Sequence, residues 1–217
     1  MSEIRTFLDW GVCDGVTTNQ KIFLAEGGVD FKQRILEICS AVHGPVSVET
    51  TSNSVPSLLE EGRMYAKWDP NVVVKVAMYG NGDGLRVASQ LHGEGIKVNM
   101  TCMMSFNQLM LACKAGARYI SLFYNRVKDS GEDPVSVIRK INTVLRRDGY
   151  DSELRVGSIR KPADVEEAVE AGADIVTIPY KIFAQMPFHF KTEETIKEFD
   201  EAWKKFSELR APRQSPQ

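Results

Sequence analysis

A lysine interrupts an otherwise unbroken run of β-branched residues in segment 71–77, which reads Asn-Val-Val-Val-Lys-Val-Ala. Such a run is typical of a strand buried on both faces in a parallel sheet, where a lysine has no ordinary place. Burial penalises the charged ammonium, so we expect Lys75 to offer some nucleophilic amine near neutral pH, as Schiff-base chemistry requires. The alternative is a lysine at a strand end whose ammonium group reaches solvent.

Polar residues also stand at or just beyond the ends of several other apolar runs. In a barrel of parallel strands the carboxyl ends meet at one mouth, where catalytic groups lie. Taken singly, each residue could be a turn residue, a solvated strand end or a surface charge. Their recurrence on successive strands favours a site shared with Lys75. The candidates are Asp9, Asn19, Glu49, Asn99, Thr101, Ser121, Arg126, Ser158 and Arg160.

Four of these residues have the chemistry for bond making and breaking. Lys75 would attack a ketone, while Asp9 would take the proton from a hydroxyl two carbons away as the carbon–carbon bond breaks. Glu49 would act through a water molecule on the carbinolamine and imine steps, and we group Thr101 with this catalytic set. The set predicts aldol chemistry.

The remaining candidates would bind substrate. Asn19 and Asn99 are suited to the hydroxyls of a sugar. Arg126, Ser158 and Arg160 would form a phosphate clamp, because arginine forks match phosphate oxygens and the loop after strand seven is the usual phosphate site of barrels. Two further residues are placed in this substrate-binding group: Ser121 and Phe123. The sequence therefore predicts an aldol enzyme acting on sugar phosphates.

Eight apolar runs bounded by turn residues are predicted as strands, the number that a closed (β/α)8 barrel needs. Amphipathic stretches alternate with most of them and imply parallel strands. The predicted fold class is therefore α/β, a single TIM barrel. The strand candidates are 5–9, 15–18, 45–49, 72–77, 97–101, 119–123, 154–158 and 174–178. The helix candidates are 30–42, 55–67, 84–94, 107–115, 134–147, 163–171, 181–186 and 192–209.

The first predicted connection is too short for an ordinary barrel. Only five residues separate Asp9 from Gly15, whereas a parallel crossover usually takes about a dozen residues or more and carries a helix. Either this barrel lacks its first helix, or segment 5–9 is not a strand.

The length of 217 residues suits one α/β barrel. We predict a catalytic domain at 1–190, a C-terminal helix at 191–210 and a disordered tail at 211–217. A formal net charge of -2 with intermixed signs argues against binding to nucleic acid. The absence of an apolar leader or long apolar run predicts a cytosolic protein that does not bind membranes. Four scattered cysteines predict reduced thiols, and no metal or other cofactor is expected.

Six segments, in family order, resemble the transaldolases and fructose 6-phosphate aldolases. The segments are Phe7-Leu-Asp9, Gly15-Val-Thr-Thr-Asn19, Val72-Val-Val-Lys-Val76, Asn99-Met-Thr101, Asn125-Arg126 and Gly157-Ser-Ile-Arg160. The resemblance implies that Lys75 is the Schiff-base lysine and Asp9 the acid/base of carbon–carbon cleavage. It implies that Arg126, Ser158 and Arg160 bind phosphate. A dihydroxyacetone unit would be held on the lysine as an enamine and passed to an aldose phosphate.

Two positions favour transfer over release within this family. Glu49 and Phe123 are similar to the transaldolases, whereas the aldolases have glutamine and tyrosine there. The chain departs from the family pattern at Trp10 and at Gln20, which follows Asn19 directly. Two alternatives therefore stay open: an aldolase that releases free dihydroxyacetone, and an inactive barrel that only binds sugar phosphates.

The resemblance also implies a homo-oligomer, a pentamer or a decamer. The C-terminal helix would then lie on a neighbouring subunit and cover its apolar stripe. That stripe consists of Ile196, Phe199, Trp203 and Phe206.

Overall fold

A computed structural model of the chain describes residues 1–210. Its centre is a parallel sheet of seven strands whose spatial order equals their order in the chain. This order is what successive βα units produce, so the predicted α/β fold of TIM-barrel type is confirmed. The strands are β1 (Val16–Thr17), β2 (Val46–Glu49), β3 (Val72–Ala77), β4 (Val98–Met103), β5 (Tyr119–Phe123), β6 (Glu153–Gly157) and β7 (Ile175–Val176).

Eleven helices surround or extend this sheet within the described residues. They are α1 (Ser2–Asp9), α2 (Gln20–Glu26), α3 (Phe31–Ala41), α4 (Val55–Tyr65), α5 (Asp83–Gly93), α6 (Phe106–Lys114), α7 (Tyr124–Asp129), α8 (Pro134–Asp148), α9 (Pro162–Glu170), α10 (Tyr180–Phe183) and α11 (Phe190–Arg210). Most predicted bounds lie within two residues of those observed, and β3 and β5 have the predicted bounds. The short helices α2 and α7 were not predicted.

The sheet is strongly curved, as one hydrogen bond shows. Arg155 on β6 donates from Nη1 to Ser47 Oγ on β2 at 2.7 Å. In a flat sheet these strands, four steps apart, would be about 19 Å from each other, far beyond the reach of one arginine side chain. The inner face therefore curves around a lumen, and β1 and β7 are not paired with each other, so the sheet stays open between them.

The two faces of the sheet differ in polarity with the period of two that a strand imposes. On β3, Val72, Val74 and Val76 join the apolar core under the helices, whereas Val73 stays outside that cluster and Lys75 occupies the same face as Val73. Similar alternation on β2 puts Ser47 and Glu49 on the inner face. The chain therefore buries a conventional core outside the sheet and a polar set inside it.

The predicted strand at 5–9 is wrong. These residues belong to α1, whose Ile4, Phe7 and Leu8 have helical spacing. The Phe7 ring is buried and stacks on Phe183 with ring centroids 4.2 Å apart. Of the two explanations for the short first connection, the structure supports the second: a helix precedes β1, and no strand precedes it among residues 1–210.

This correction changes the position of Asp9. Its side chain is exposed at the end of α1, and six residues then lead to the amino end of β1. There Val16 N–H donates to Pro45 O at 3.0 Å. Asp9 therefore does not stand at the carboxyl end of a strand, where the other candidates lie.

Helix α11 carries the predicted apolar stripe on its surface, with Phe199 and Trp203 68% and 65% exposed. In the part of the chain that the structure describes, no helix combines the length and apolar character needed to cross a membrane. The predicted tail at 211–217 lies outside the described residues.

Candidate active site

Lys75 is buried in the lumen and paired with a carboxylate. Its Nζ lies 2.9 Å from Glu49 Oε2, and the two side chains are only 9% and 12% exposed. Glu49 and Lys75 are direct partners in the register of β2 and β3. Nζ also donates to Thr18 O at 3.0 Å. The alternative of a lysine that reaches solvent is therefore wrong: Lys75 remains inside and is compensated by a charge and a carbonyl.

Asn99 continues this layer of the site on β4, where it is the register partner of Lys75. It is fully buried. Its amide oxygen faces Arg155 Nη1 at 3.0 Å and Ser47 Oγ at 3.2 Å, while its nitrogen donates to Ser121 Oγ at 2.7 Å. A guanidinium can only donate, so this is the orientation in which every donor meets an acceptor.

Thr101 lies two residues beyond Asn99 on the same face of β4 and is fully buried. Its Oγ1 has no hydrogen-bond partner among the described residues. A buried hydroxyl of this kind is where a water molecule or a substrate hydroxyl gains a partner. The next residue, Cys102, has φ of 60°, so the strand bends here towards its carboxyl end.

A cavity opens beside Glu49, between the turn at Thr18 and Asn19 and the ring of Phe23. Asn19 caps α2 by accepting the Ile22 N–H at 3.1 Å through Oδ1. The amide nitrogen is thus the group that Asn19 could offer to a ligand. Gln20, a departure from the family pattern, donates from Nε2 to Thr50 O at 3.1 Å and ties α2 to the end of β2.

The loop that follows β2 is held by Glu61. Its carboxylate accepts hydrogen bonds from the backbone N–H and hydroxyl groups of Thr51 and Ser52, at 2.7 to 3.1 Å. Burial alone would raise the pKa of Glu61, but these hydrogen bonds outweigh it and lower the pKa below its ordinary value. The loop beside Glu49 is therefore anchored by an ionised carboxylate.

The proposed phosphate residues lie on exposed segments after β5 and β6. Arg126, on α7, places its guanidinium 5.7 Å from the ring of Phe123. Arg160 forms a two-pronged ion pair with Asp129, at 2.8 and 2.5 Å. Ser158 has φ of 62°, a conformation that turns the loop sharply after β6. Arg126 and Arg160 therefore lie near the surface, and Arg160 is paired with Asp129.

A buried hydrogen-bond bridge joins these two segments. Asn125 Nδ2 donates to Ser158 O at 2.8 Å and to Asp164 Oδ2 at 2.6 Å. Asp164 Oδ2 also accepts the backbone N–H of Arg160 at 2.9 Å. Burial would raise the pKa of Asp164, but the hydrogen bonds from Asn125 and the backbone together lower it. The bridge fixes the backbone on which Arg126 and Arg160 stand.

The structure thus brings part of the predicted set together. Lys75, Glu49, Asn99 and Ser121 form one layer of the lumen through pairing and hydrogen bonds. Asp9 is not brought to it. Among the described residues, no group of three or more His, Cys, Asp or Glu side chains could hold a metal ion.

Two polar residues of the lumen were not predicted. Ser47 is fully buried, and Arg155 is 4% exposed in the apolar run Leu154-Arg-Val156. The reasoning that singled out Lys75 applies equally to Arg155, since a cation inside a buried strand needs an explanation. Burial lowers the pKa of Arg155 to about 10, so the group remains charged at neutral pH.

A curved parallel sheet holds a buried lysine and glutamate facing each other on adjacent strands. These features define the class of this protein as an α/β barrel with an amine in its lumen. A family model described as Transaldolase/Fructose-6-phosphate aldolase matches residues 1–213. The chain therefore belongs to the transaldolase/fructose-6-phosphate aldolase family, and it is an enzyme of that family.

Similar proteins agree with this assignment over nearly their whole length. The chain is 43% identical over 204 residues to "Probable transaldolase" of Roseiflexus sp. (strain RS-1), covering 94% of this chain and 93% of that protein. It is 42% identical over 208 residues to "Probable transaldolase 2" of Listeria monocytogenes, covering 96% and 94%. A third, "Probable transaldolase" of Streptococcus agalactiae serotype V, is 44% identical over 206 residues, covering 95% and 94%.

Proposed function

We propose that the chain is a transaldolase that carries a dihydroxyacetone unit on Lys75 as a Schiff base. The donor would be a ketose phosphate such as fructose 6-phosphate or sedoheptulose 7-phosphate, and the acceptor an aldose phosphate. The observation that supports this is the 2.9 Å contact between Lys75 and Glu49 inside the lumen of a family member. It puts a proton acceptor directly on the amine that must become a nucleophile.

The first half of the reaction forms the imine. Glu49 takes a proton from Lys75, whose Nζ then attacks the ketone carbonyl and forms a carbinolamine. Glu49 returns that proton to the departing hydroxyl, which leaves as water. Thr101, with its unpartnered buried hydroxyl, is suited to hold this water. At the end of this step Glu49 is a carboxylate again.

The second half breaks the carbon–carbon bond. A base removes the proton of the hydroxyl on C4, the bond between C3 and C4 breaks, and its electron pair moves towards the imine at C2 to give the enamine. We assign the removal of this proton to Glu49, because Asp9 lies on α1 and Glu49 is the carboxylate in contact with Lys75. The released fragment is an aldose phosphate, and the reverse sequence with another aldose phosphate completes transfer.

Substrate binding is assigned to the groups around this pair. Asn19 and Asn99 would bind hydroxyls of the retained unit, with Ser121 supporting the Asn99 amide. The phosphate would lie on Arg126 and Arg160 with the Ser158 loop, where the Asn125 bridge fixes both segments. The anion would compete with Asp129 for Arg160.

Transfer is favoured over release by Phe123. It ends β5, is half-buried and has no hydroxyl that could hold a water to protonate the enamine. The enamine would then persist until an acceptor arrives. An aldolase would instead release dihydroxyacetone from fructose 6-phosphate in the absence of acceptor, at a rate equal to transfer.

A second candidate is supported by the position of Asp9. If Glu49 cannot serve both halves of the reaction, the barrel would bind sugar phosphates without turning them over. Fructose 6-phosphate would then raise the Tm while no aldose phosphate is formed.

Borohydride trapping tests the proposal directly. Reduction in the presence of fructose 6-phosphate should fix a dihydroxyacetone unit on Lys75, as located by peptide mass spectrometry, and Lys75→Ala should abolish the adduct. The matched control is Lys97→Ala, which removes an exposed lysine just before β4. Absence of an adduct in the unaltered protein would exclude the Schiff-base mechanism.

We also propose that the enzyme acts in the pentose phosphate pathway of the cytoplasm and forms a homo-oligomer. The exposed apolar stripe of α11 supports the oligomer. Light scattering of the purified chain tests that proposal.

A further inference from the structure

Arg155 has no role in the reaction as written above, yet its side chain reaches the inner face of the site. It extends from β6 to β2, where Nη1 donates to Ser47 Oγ at 2.7 Å. Its Cζ lies 4.4 Å from the centre of the Tyr119 ring. The guanidinium therefore fills the space between these strands beneath the mouth.

The charge of Arg155 is poorly compensated for a buried group. No carboxylate forms an ion pair with it in the described part of the chain, and the nearby Glu153 is paired with Arg118. Its Nε has no hydrogen-bond partner among the described residues. Burying a cation in this way is unfavourable for folding, and an apolar residue of similar size often serves stability better. The burial of Arg155 therefore requires an explanation other than stability.

The contacts of Arg155 lead to both members of the central pair. Ser47 precedes Glu49 by two residues on the same face of β2, so it lies directly below it. The amide oxygen of Asn99, the register partner of Lys75, accepts a hydrogen bond from Arg155 Nη1 at 3.0 Å. Because the guanidinium cannot accept a hydrogen bond, it excludes the opposite orientation of this amide.

We propose that Arg155 is a positioning residue of this site: it fixes the Asn99 amide so that the nitrogen, and not the oxygen, is presented on the side of Ser121 and the bound three-carbon unit. The proposal rests on the proposed function. It gives Arg155 control over how the site recognises a hydroxyl of the unit held on Lys75. Dihydroxyacetone has hydroxyls on both carbons next to the carbonyl, whereas hydroxyacetone has one.

The experiment compares the rates at which borohydride traps these two ketones on Lys75. The ratio of the rates, dihydroxyacetone over hydroxyacetone, measures recognition of the second hydroxyl and cancels any general loss of activity. We expect Arg155→Leu and Asn99→Ala each to lower the ratio about tenfold, the effect of losing one hydrogen bond to the ligand. Combining the two changes should lower it no further, because Arg155 acts through Asn99.

Two further variants separate positioning from a structural role. Arg155→Lys keeps a charged donor and should restore at least part of the ratio. Val73→Ala removes a buried side chain on the inner face of β3 that has no polar atom, so it should reduce stability and leave the ratio unchanged. If Arg155→Leu does not fold, Arg155→Met, which keeps more of the length, replaces it. Thermal unfolding is measured for each variant.

The outcomes are distinct. The proposal is overturned if Arg155→Leu forms the adduct with an unchanged ratio. It is also overturned if the arginine variants and Val73→Ala give equal ratios. Both outcomes leave the Schiff-base function intact. A double variant with a ratio well below either single variant also overturns the proposal, because Arg155 would then act independently of Asn99. Absence of any Lys75 adduct in the unaltered protein overturns both proposals.

Discussion

Glu49 and Lys75 face each other across β2 and β3 as direct register partners, with Oε2 and Nζ 2.9 Å apart. The pairing is intrinsic to the sheet: any change of register by one residue would turn one of them out of the lumen. The distance between the reacting amine and its proton acceptor is therefore set by backbone hydrogen bonds and does not depend on a flexible loop.

Glu49→Gln tests that relationship with little change in shape. The amide cannot accept the Lys75 proton, and it also leaves the buried amine without its counter-charge. We expect the rate of borohydride trapping with dihydroxyacetone to fall by about 10²- to 10⁴-fold, the usual contribution of a general base. Glu60→Gln, at an exposed position of α4, is the matched control and should trap at the normal rate. A loss below threefold in Glu49→Gln would remove this carboxylate from the mechanism.

Asp9→Asn tests whether Asp9 is the acid/base expected from the sequence or an exposed residue outside the site. If Asp9 were the acid/base of carbon–carbon cleavage, its loss would reduce turnover by orders of magnitude. Because the side chain is exposed at the end of α1, we expect kcat/KM for transfer from fructose 6-phosphate to change by less than about twofold, within the range of ordinary surface substitutions. A large loss of kcat with normal trapping of dihydroxyacetone would restore Asp9 to the site.

The sequence predicted the buried strands of this fold well because their runs of β-branched residues are nearly unbroken. Strand β3 and Lys75 were found from one β-branched run. Segment 5–9 was wrongly predicted as a strand because it was taken as an apolar run bounded by turn residues, while the spacing of Ile4, Phe7 and Leu8 already had the period of a helix.

The lumen itself was harder to predict. The candidates predicted from the sequence are residues at strand ends, where solvent and substrate meet. Ser47 and Arg155 lie earlier on their strands, and the bond between them exists only because the sheet curves until β2 and β6 approach each other. Such contacts depend on the curvature of the whole sheet, which cannot be read from the local pattern of residues.

Asp164→Asn should weaken the bridge between the segments after β5 and β6. Asp164 is fully buried and accepts bonds from Asn125, Arg160 and Lys161. An amide oxygen can replace the one carboxylate oxygen that accepts these bonds, but the negative charge that strengthens them and that faces Lys128 at 3.9 Å is lost. We therefore expect the free energy of unfolding in urea at pH 7 to fall by about 1 to 3 kcal/mol. Asp200→Asn, exposed on α11, should have no effect.

The same variant has a pH signature. Because the folded-state pKa of Asp164 is lowered, its contribution to stability is present above the pKa of the unfolded chain, about 3.9, and is lost as pH falls below it. The difference in unfolding free energy between the unaltered protein and Asp164→Asn should therefore be constant from pH 5 to pH 7 and shrink below about pH 4. A difference that stays constant to pH 3 would contradict the assigned pKa direction.

Arg155→Leu should be stable even though it is impaired in recognition. Burial lowers the pKa of Arg155 to about 10, which means that the folded state disfavours the charged form. That penalty is full at every pH below about 10 and is relieved only above it, so it acts at pH 7. Replacing the cation by an apolar residue should leave the free energy of unfolding unchanged or raise it by about 1 to 3 kcal/mol. A loss of several kcal/mol in urea denaturation would show that Arg155 serves stability first.

Arg160→Gln tests whether the exposed arginine after β6 binds phosphate. The ion pair with Asp129 is open to solvent, so its loss should cost little stability. Loss of a charge-assisted contact to phosphate should raise KM for fructose 6-phosphate by about tenfold or more, since hydrogen bonds to charged groups are the strong ones. Trapping of dihydroxyacetone, which has no phosphate, should be unaffected. Arg139→Gln, an exposed arginine on α8, is the control. If Arg160→Gln impairs trapping of dihydroxyacetone as much as it impairs the reaction of fructose 6-phosphate, Arg160 shapes the lysine site and does not select phosphorylated substrates.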